Sequence, residues 1–189
     1  TVELGRKTYA TPNQMTVKER LVDFILDLLV RRKARARFGG RLKALVSGGA
    51  PLNPDVGVFF TALGLRILQG YGQTESAPII SVNRAPRPKM HTVGPPMKDV
   101  EVKIADDGEI LVRGPLVMKG YWRRDEETKA AIVDGWLHTG DIGVFDADGH
   151  LQITDRKKDI IVVSGGDNVS PQRIEGMLTL EPEIAQADR

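Results

Sequence analysis

The sequence has no cysteine among its 189 residues, so a disulfide framework and a thiolate metal site are both excluded. It also lacks a long apolar run: the most apolar stretch, 17–30, is interrupted by Lys18, Asp23 and Asp27, which excludes a membrane-spanning helix there. The first residues do not follow the basic-then-apolar order of a signal peptide. From these absences we predict a cytoplasmic location, and peripheral contact with a membrane stays open.

Neither sign of charge is in excess, because 27 basic residues face 25 acidic ones and the net charge is +2. This balance gives no support for a nucleic-acid partner, and we predict none. Seven basic residues occur without an acid between positions 31 and 43. A solvated helix end, where cations favour the negative pole of the dipole, is the preferred interpretation. A contact with anionic lipid or a phosphorylated ligand is the alternative.

The first half of the chain alternates helix and strand signals. Thr16 and Glu19 have capping-box spacing before a helix over 17–30, and Gly39-Gly40 is suited to end it. A strand is predicted over 42–47, a helix from Asn53-Pro54 to about Gly64, and a second strand over 65–68. Strand, helix and strand in this order predict a βαβ unit with a parallel sheet.

The pattern changes near residues 86–96, where strand signals begin to dominate. Apolar residues alternate with polar ones on both sides of a turn at 106–108 and of another at 148–149, and only 125–133 favours a helix. We predict a β-rich subdomain over about 92–154, a hinge at 155–158, and a strand over 159–163 with a helix opening at Ser170-Pro171. The predicted fold class is α/β: part of a parallel-sheet α/β subdomain, a small β-rich subdomain and the start of a C-terminal α+β domain.

Three short segments carry groups suited to a nucleotide. Residues 47–51, Ser-Gly-Gly-Ala-Pro, follow a predicted strand and would let a flat ring approach the backbone. Residues 70–75, Gly-Tyr-Gly-Gln-Thr-Glu, supply an aromatic face, a hydroxyl and a carboxylate that suits Mg²⁺. Residues 138–141, His-Thr-Gly-Asp, present a carboxylate able to accept from both hydroxyls of a ribose. Each segment taken singly is more typical of a structural turn.

The order and spacing of these segments resemble the adenylate-forming superfamily, which includes acyl-CoA synthetases, adenylation domains and beetle luciferases. The resemblance covers residues 40–187 and includes Gly120-Tyr121-Trp122, Trp136 to Asp141 and the Asp155 to Asp159 segment, Asp-Arg-Lys-Lys-Asp. The segment 164–175 is most similar to the long-chain fatty acyl-CoA branch.

The resemblance implies a ligase that uses a fatty acid, ATP and CoA, with Mg²⁺. The fatty acid would be activated to an acyl-adenylate with loss of pyrophosphate, and the CoA thiol would then displace AMP. Adenylation of another carboxylate and transfer to a carrier protein are alternatives within the superfamily. A non-catalytic nucleotide-binding fragment is an alternative from another class.

The resemblance also implies site residues for the nucleoside. Gly49 and Ala50 would line the adenine and the acyl carboxylate, and Tyr71 would stack on the adenine. Asp141 and Arg156 would bind the ribose hydroxyls.

The remaining implied roles concern the phosphates, the acyl chain and CoA. Thr74 would contact the α-phosphate, and Glu75 would hold Mg²⁺ as the only metal ligand predicted. Gly72 would leave room for the acyl chain. Lys158 matches the position about which the C-terminal domain rotates, and Gly165 matches the glycine that lines the pantetheine tunnel. Thr74, Glu75 and Lys158 form the predicted catalytic group.

The resemblance assigns residues 1–154 to the C-terminal portion of a large adenylation domain and 159–189 to the start of a truncated C-terminal domain. The superfamily's Ser/Thr/Gly-rich phosphate loop with its lysine, and its late catalytic lysine, have no counterpart in the 189 residues. We therefore expect the isolated chain to be inactive. The acyl chain length and the oligomeric state are not predicted by the sequence.

Overall fold

A computed structural model describes residues 2–10, 15–85, 88–159, 161–162, 168–169 and 178. The chain forms two compact units, each with its own set of strands. The first unit consists of Thr1–Tyr71 with Ser81–Gly94, and the second consists of Gly72–Ile80 with Pro95–Arg189.

The first unit begins with helices. They are α1 (Val2–Ala10), α2 (Val17–Leu26), a π-helical segment (Asp27–Arg31) and α3 (Arg32–Arg37). The predicted capping box is present, since the Glu19 N–H donates to Thr16 Oγ1 at 3.3 Å and the Thr16 N–H donates to Glu19 Oε2 at 2.8 Å. The hydrogen bonds from Lys7 and Thr16 lower the pKa of Glu19 to about 2. The predicted end of the helical segment at Gly39-Gly40 is also confirmed, because the Gly40 N–H donates to the Arg35 carbonyl at 3.1 Å.

The apolar side of α2 and the π-helical segment is exposed. The spacing located the helix, but Val17 keeps 86% of its surface, Phe24 68% and Leu21 61%. The buried contact comes instead from Arg31, whose Nε donates to the Ala62 carbonyl at 2.8 Å. Apolar periodicity indicates which residues share a helix face, and burial depends on whether another surface covers that face.

A βαβ unit follows, as predicted. Strand β1 (Leu45–Ser47), helix α4 (Pro54–Ala62) and strand β2 (Ile67–Tyr71) alternate, and the two strands pair in parallel. Helix α4 starts where Asn53 caps it, with the side-chain oxygen accepting from the Asp55 N–H at 2.8 Å. A short strand β3 (Ser81–Val82) pairs antiparallel with β2. The buried apolar residues of this unit include Ala62, Leu65, Ile67, Tyr71 and Met90.

The second unit contains an antiparallel sheet in the order β4-β5-β7-β6, with β8 also paired to β7. Its strands are β4 (Glu101–Ile104), β5 (Glu109–Arg113), β6 (Ile132–Val133), β7 (Trp136–Phe145) and β8 (Leu151–Arg156). Helix α5 (Asp125–Ala131) precedes β6, and β9 (Ile161–Val162) pairs antiparallel with β10 (Asn168–Val169). In the described part of this unit, the buried apolar residues are Ile80, Ile110, Leu111, Val112, Leu137 and Leu151.

The predicted helix over 125–133 is two residues too long. Ile132 and Val133 form β6, which turns directly into β7 so that Val133 pairs with Trp136. Asp134 and Gly135 have φ angles of 51° and 78°, as a two-residue hairpin turn with both central residues at positive φ requires. Pairing with β7 therefore outweighs continuation of the helix.

The predicted α/β fold class, with a parallel pair and a β-rich part, is confirmed. The helix predicted to open at Ser170-Pro171 lies outside the described residues, and the predicted domain boundaries stay predictions. Among the described residues, no helix is both long and apolar enough to cross a membrane.

Candidate functional site

The glycine segment of the first unit lies just after β1. Because β1 and β2 are parallel, their carboxyl ends are adjacent, and a Cβ added to Gly48 would lie 3.2 Å from the Gly70 carbonyl oxygen. Gly49 has a φ of 85°, in the left-handed region that favours glycine, and both Gly49 and Ala50 are exposed. The segment therefore offers free backbone at the edge where open α/β sheets bind ligands.

Tyr71 ends β2 and is paired with Ser81 of β3. It is buried, with 8% of its surface exposed. Its stacking on adenine stays a prediction.

In the second unit, Gly72 opens the segment that carries Thr74 and Glu75. A Cβ on Gly72 would lie 1.8 Å from the Pro78 carbonyl oxygen, closer than any side chain can approach a backbone atom. This close contact explains on structural grounds why position 72 requires a glycine. The predicted role of Gly72 in leaving space for an acyl chain stays a prediction.

Thr74–Ser76 form one turn of 3₁₀ helix that Ser76 closes. The buried Ser76 hydroxyl donates to the Gln73 carbonyl at 2.9 Å and accepts from the Gln73 N–H at 3.1 Å. Thr74 is exposed and Glu75 is half-buried. The turn thus leaves Thr74 exposed to solvent.

Glu75 is held at its backbone and at its carboxylate. Its carbonyl accepts from the Met118 N–H at 2.8 Å, and its Oε1 accepts from the Tyr121 hydroxyl at 2.8 Å. The hydrogen bond to Glu75 raises the pKa of Tyr121. Thr128 Oγ1 accepts from the Tyr121 N–H at 2.8 Å and so fixes the tyrosine in turn. Sequence reasoning placed Tyr121 in a motif and gave it no role.

The His138–Asp141 segment lies inside strand β7 and forms a bulge. Leu111 pairs with His138 and Glu109 with Ile142, so one residue of β5 faces three of β7, which are Thr139, Gly140 and Asp141. Gly140 has a φ of 71°. Bulges of this kind redirect side chains and are common beside active sites.

The bulge brings the predicted ribose pair together. Asp141 and Arg156 are opposite each other in the β7–β8 pairing, and Arg156 Nε donates to Asp141 Oδ1 at 3.4 Å. Gln73 Nε2 donates to the Thr139 carbonyl at 3.4 Å, which joins the bulge to the turn that carries Glu75. Gly49, Ala50 and Tyr71 belong to the first unit.

Glu109 supports the bulge from β5, and sequence reasoning missed it. Its carboxylate accepts from the Gly140 N–H and from Lys157 Nζ, each at 2.9 Å, and it lies 3.1 Å from His138 Nδ1. Burial would raise the pKa of Glu109, but the hydrogen bonds from Lys157, Gly140 and His138 outweigh burial and lower it. The available signal was a charged residue directly before the apolar run Ile110 to Val112.

The remaining predicted residues are near the end of the described chain. Lys158 is exposed, in a turn where the Asp159 N–H donates to the Arg156 carbonyl at 2.9 Å. Gly165 lies outside the described residues.

Glu75 fits the predicted magnesium role. Across the part of the chain that the structure describes, no three His, Asp or Glu residues gather as a metal site. Mg²⁺ bound with a nucleotide needs only one or two carboxylates, because phosphate oxygens and water complete its shell. A single carboxylate held in place by Tyr121 matches this requirement.

Residues 11–122 match the AMP-binding enzyme family, which is more than half of the chain. The chain belongs to that family, and the resemblance drawn from its motifs is confirmed.

Its relatives include fatty-acid ligases. The chain is 48% identical over 163 residues to a long-chain-fatty-acid–CoA ligase of Mycobacterium bovis, a match that covers 86% of this chain and 27% of that protein. The chain therefore spans about a quarter of the length of this curated relative.

Two solved structures are also similar. An amide bond synthetase from Marinactinospora thermotolerans is 40% identical, with a TM-score of 0.66 over 76% of this chain and 32% of its own. The o-succinylbenzoate CoA synthetase of Bacillus subtilis, solved with its acyl-adenylate intermediate, is 28% identical, with a TM-score of 0.70 over 91% of this chain and 40% of its own.

Proposed function

We propose that the protein to which this chain belongs is an AMP-forming ligase that joins a long-chain fatty acid to CoA. The observation that carries the proposal is the turn at Thr74–Glu75, where Thr74 is exposed. Beside it, Tyr121 donates to the Glu75 carboxylate and the Met118 N–H donates to the Glu75 backbone carbonyl. The ligase names of the relatives support the reaction class.

The roles in adenylation follow from the chemistry of each group. Thr74 would donate to the α-phosphate, and Glu75 would hold Mg²⁺, which neutralises phosphate charge during attack by the acyl carboxylate. Tyr121 would keep the Glu75 carboxylate aimed at the metal through its hydrogen bond. Fixed groups of this kind stabilise developing charge without having to reorganise.

The roles in nucleoside binding rest on two places in the fold. The Asp141 carboxylate would accept from the ribose hydroxyls, with Arg156 beside it at 3.4 Å. Gly49 and Ala50 would line the adenine through exposed backbone, and Tyr71 would stack on it. Gly72 would border the acyl chain and Gly165 the pantetheine arm of CoA.

The proposed localisation and partners follow from the reaction. The protein would act in the cytoplasm on fatty acid, ATP and CoA, without nucleic acid. Peripheral contact with a membrane would bring it near its lipid substrate.

A second candidate is activation of a different carboxylate, or transfer of the acyl group to an acceptor other than CoA. The names of the two similar structures support this second candidate, because one is an amide bond synthetase and the other is an o-succinylbenzoate CoA synthetase. Both candidates share the first half-reaction and differ in the carboxylate or the acceptor.

Two assays with the complete protein test these proposals. Palmitate-dependent exchange of pyrophosphate into ATP reports adenylation, and CoA-dependent AMP release reports thioester formation. We expect both. Exchange with an aromatic acid alone would favour the second candidate, and nucleotide binding without exchange would contradict both.

A further inference from the structure

Glu109 is enclosed, and it ties two separate segments of the second unit together. Its side chain is 5% exposed. Through Gly140 and His138 it contacts the bulge of β7, and through Lys157 it contacts the residue that follows β8. One carboxylate thus joins the segment that carries Asp141 to the segment that carries Arg156.

Lys157 is held at both its backbone and its side chain. Its N–H donates to the Gly140 carbonyl at 2.8 Å, while its Nζ lies 2.6 Å from Asp107 Oδ2 and 2.9 Å from Glu109 Oε2. The hydrogen bonds from Lys157 to Asp107 and Glu109 raise the pKa of its ammonium group. Charge-assisted hydrogen bonds are stronger than neutral ones, so the position of Lys157 is well defined.

The next residue, Lys158, is exposed and is the proposed point of rotation. The backbone hydrogen bond from Asp159 to Arg156 spans Lys157 and Lys158 as one turn. A rotation spread over 156–158 would displace Arg156 from Asp141. A rotation confined to Lys158 would leave that pair in place.

We propose that Asp107, Glu109 and Lys157 form a clamp that confines the rotation to Lys158. The clamp would keep Asp141 and Arg156 on the ribose while the chain beyond Lys158 reorients between the two half-reactions. Lys157 is thus a positioning residue that acts through Arg156. The inference rests on the proposed function, because that function supplies the need for rotation.

The clamp can be tested without any enzymatic reaction. Trypsin cleaves after Arg156, Lys157 and Lys158, and the cleavage rate reports how often this segment opens. Glu109→Gln and Asp107→Asn weaken the clamp and leave the cleaved sequence unchanged. Glu126→Gln, which alters the exposed ion pair with Lys129, is the matched control.

In the complete protein we expect Glu109→Gln to speed cleavage at 156–158 about fivefold, with a smaller increase for Asp107→Asn and none for the control. Mass spectrometry of the early fragments identifies the cleaved bonds. Asp107 is half exposed, so its variant tests the clamp even where Glu109→Gln lowers the overall stability. Wild-type cleavage rates in both clamp variants would overturn the proposal.

The consequence for catalysis is measured as thioester formed per pyrophosphate released. We expect Lys157→Met to lower this ratio about fivefold, because the adenylate escapes when Arg156 is displaced, and Lys157→Arg to restore it. An unchanged ratio would overturn the positioning role. If the wild type releases no pyrophosphate with any carboxylate, the proposed function fails, and the trypsin rates still decide whether the clamp exists.

Discussion

At the scale of single residues, Glu75 shows how groups remote in sequence can hold a carboxylate that we propose as a metal ligand. Tyr121 lies 46 positions away and reaches Glu75 through its hydroxyl, and a neighbouring backbone N–H fixes the Glu75 carbonyl. A hydrogen bond from a phenol that is still protonated leaves the negative charge on the carboxylate, as a magnesium ligand requires.

Glu75→Ala in the complete protein is expected to slow adenylation at least about tenfold, a loss of about 1.4 kcal/mol of transition-state stabilisation. Pyrophosphate exchange as a function of Mg²⁺ concentration measures the effect. Tyr121→Phe should give a smaller loss, because the carboxylate remains and only its aim is relaxed, while Glu126→Ala at an exposed site is the control. Normal exchange with an unchanged Mg²⁺ dependence would show that Glu75 does not bind the metal.

Gly72 is constrained by its backbone neighbour rather than by its φ angle. Gly72→Ala would place a methyl group against the Pro78 carbonyl, 1.8 Å away, so the segment must shift. We expect a loss of about 1–3 kcal/mol in the free energy of unfolding, the usual range for overpacking. Urea unfolding measures this loss. Gly48→Ala is the comparison, because its nearest atom lies 3.2 Å away, and an equal loss in both variants would contradict the steric account.

At the scale of elements, local signals predicted what depends on neighbours in sequence. Asn53-Pro54 located the start of α4, and the capping box located the start of α2. The bulge in β7 was not predictable in this way, because it depends on how β5 pairs with β7. The burial of Glu109 likewise depends on Lys157, 48 positions further along the chain.

The same limit applies to the candidate site. The motif order predicted roles for Glu75, Asp141 and Arg156, and the structure brings Asp141 and Arg156 together. The motif order did not indicate that Tyr121, Glu109 or Lys157 support the site. Their contacts form only when segments distant in sequence fold together.

We expect Glu109 to contribute to the loss of stability at acid pH. Its pKa in the folded state is lowered, so the stabilisation is present above its unfolded pKa and is lost as pH falls through the folded value. Its titratable neighbours are Lys157 and His138, with Asp107 beyond Lys157. Glu109→Gln should therefore flatten the decline in urea midpoint below about pH 4.5.

Glu126→Gln provides the reference for that measurement, because Glu126 is an exposed carboxylate on α5 that pairs with Lys129 at 2.9 Å. Its variant should keep the wild-type dependence on pH. If the urea midpoints of the wild type and Glu109→Gln fall in the same way at acid pH, the clamp contributes no pH-dependent stability.

The proposed hinge makes its own prediction. Proline fixes φ near −65° and restricts the residue before it, so Lys158→Pro removes the freedom that a rotation at this position requires. We expect pyrophosphate exchange to be retained within about threefold and thioester formation to fall at least about tenfold. Lys158→Ala keeps φ free and is the control. A parallel loss of both half-reactions would place the hinge elsewhere.

At the scale of the whole molecule, the exposed apolar side of α2 contrasts with the buried cores of both units. Val17 and Phe24 expose more than half of their surface, whereas Ile80 and Ile110 expose none. Helix α2 is defined by its N-terminal cap and by the helical spacing of its apolar residues. These residues bury little of their surface. The apolar burial of the described units therefore comes from other residues, such as Ile80, Ile110 and Leu137, and not from this helix face.

The last prediction concerns the 189-residue chain by itself. It contains the proposed ribose pair Asp141 and Arg156 and the proposed metal ligand Glu75. It contains no Ser/Thr/Gly-rich loop with a lysine to cradle the β- and γ-phosphates. Adenylation requires the triphosphate to be held in line with the attacking carboxylate, whereas binding of the nucleoside end does not.

We expect the purified chain to bind ATP with a Kd of about 1 mM or weaker. Asp141→Asn should reduce that binding further, because one of the two accepting oxygens and the negative charge are lost. Equilibrium dialysis with labelled ATP measures both. In a mixture with ATP, Mg²⁺, palmitate and CoA, the chain should release no pyrophosphate above background, while the complete protein under the same conditions provides the positive control. Release by the chain alone would mean that phosphate positioning is supplied by residues within 1–189, and that the roles proposed for Thr74 and Glu75 must be revised to include it.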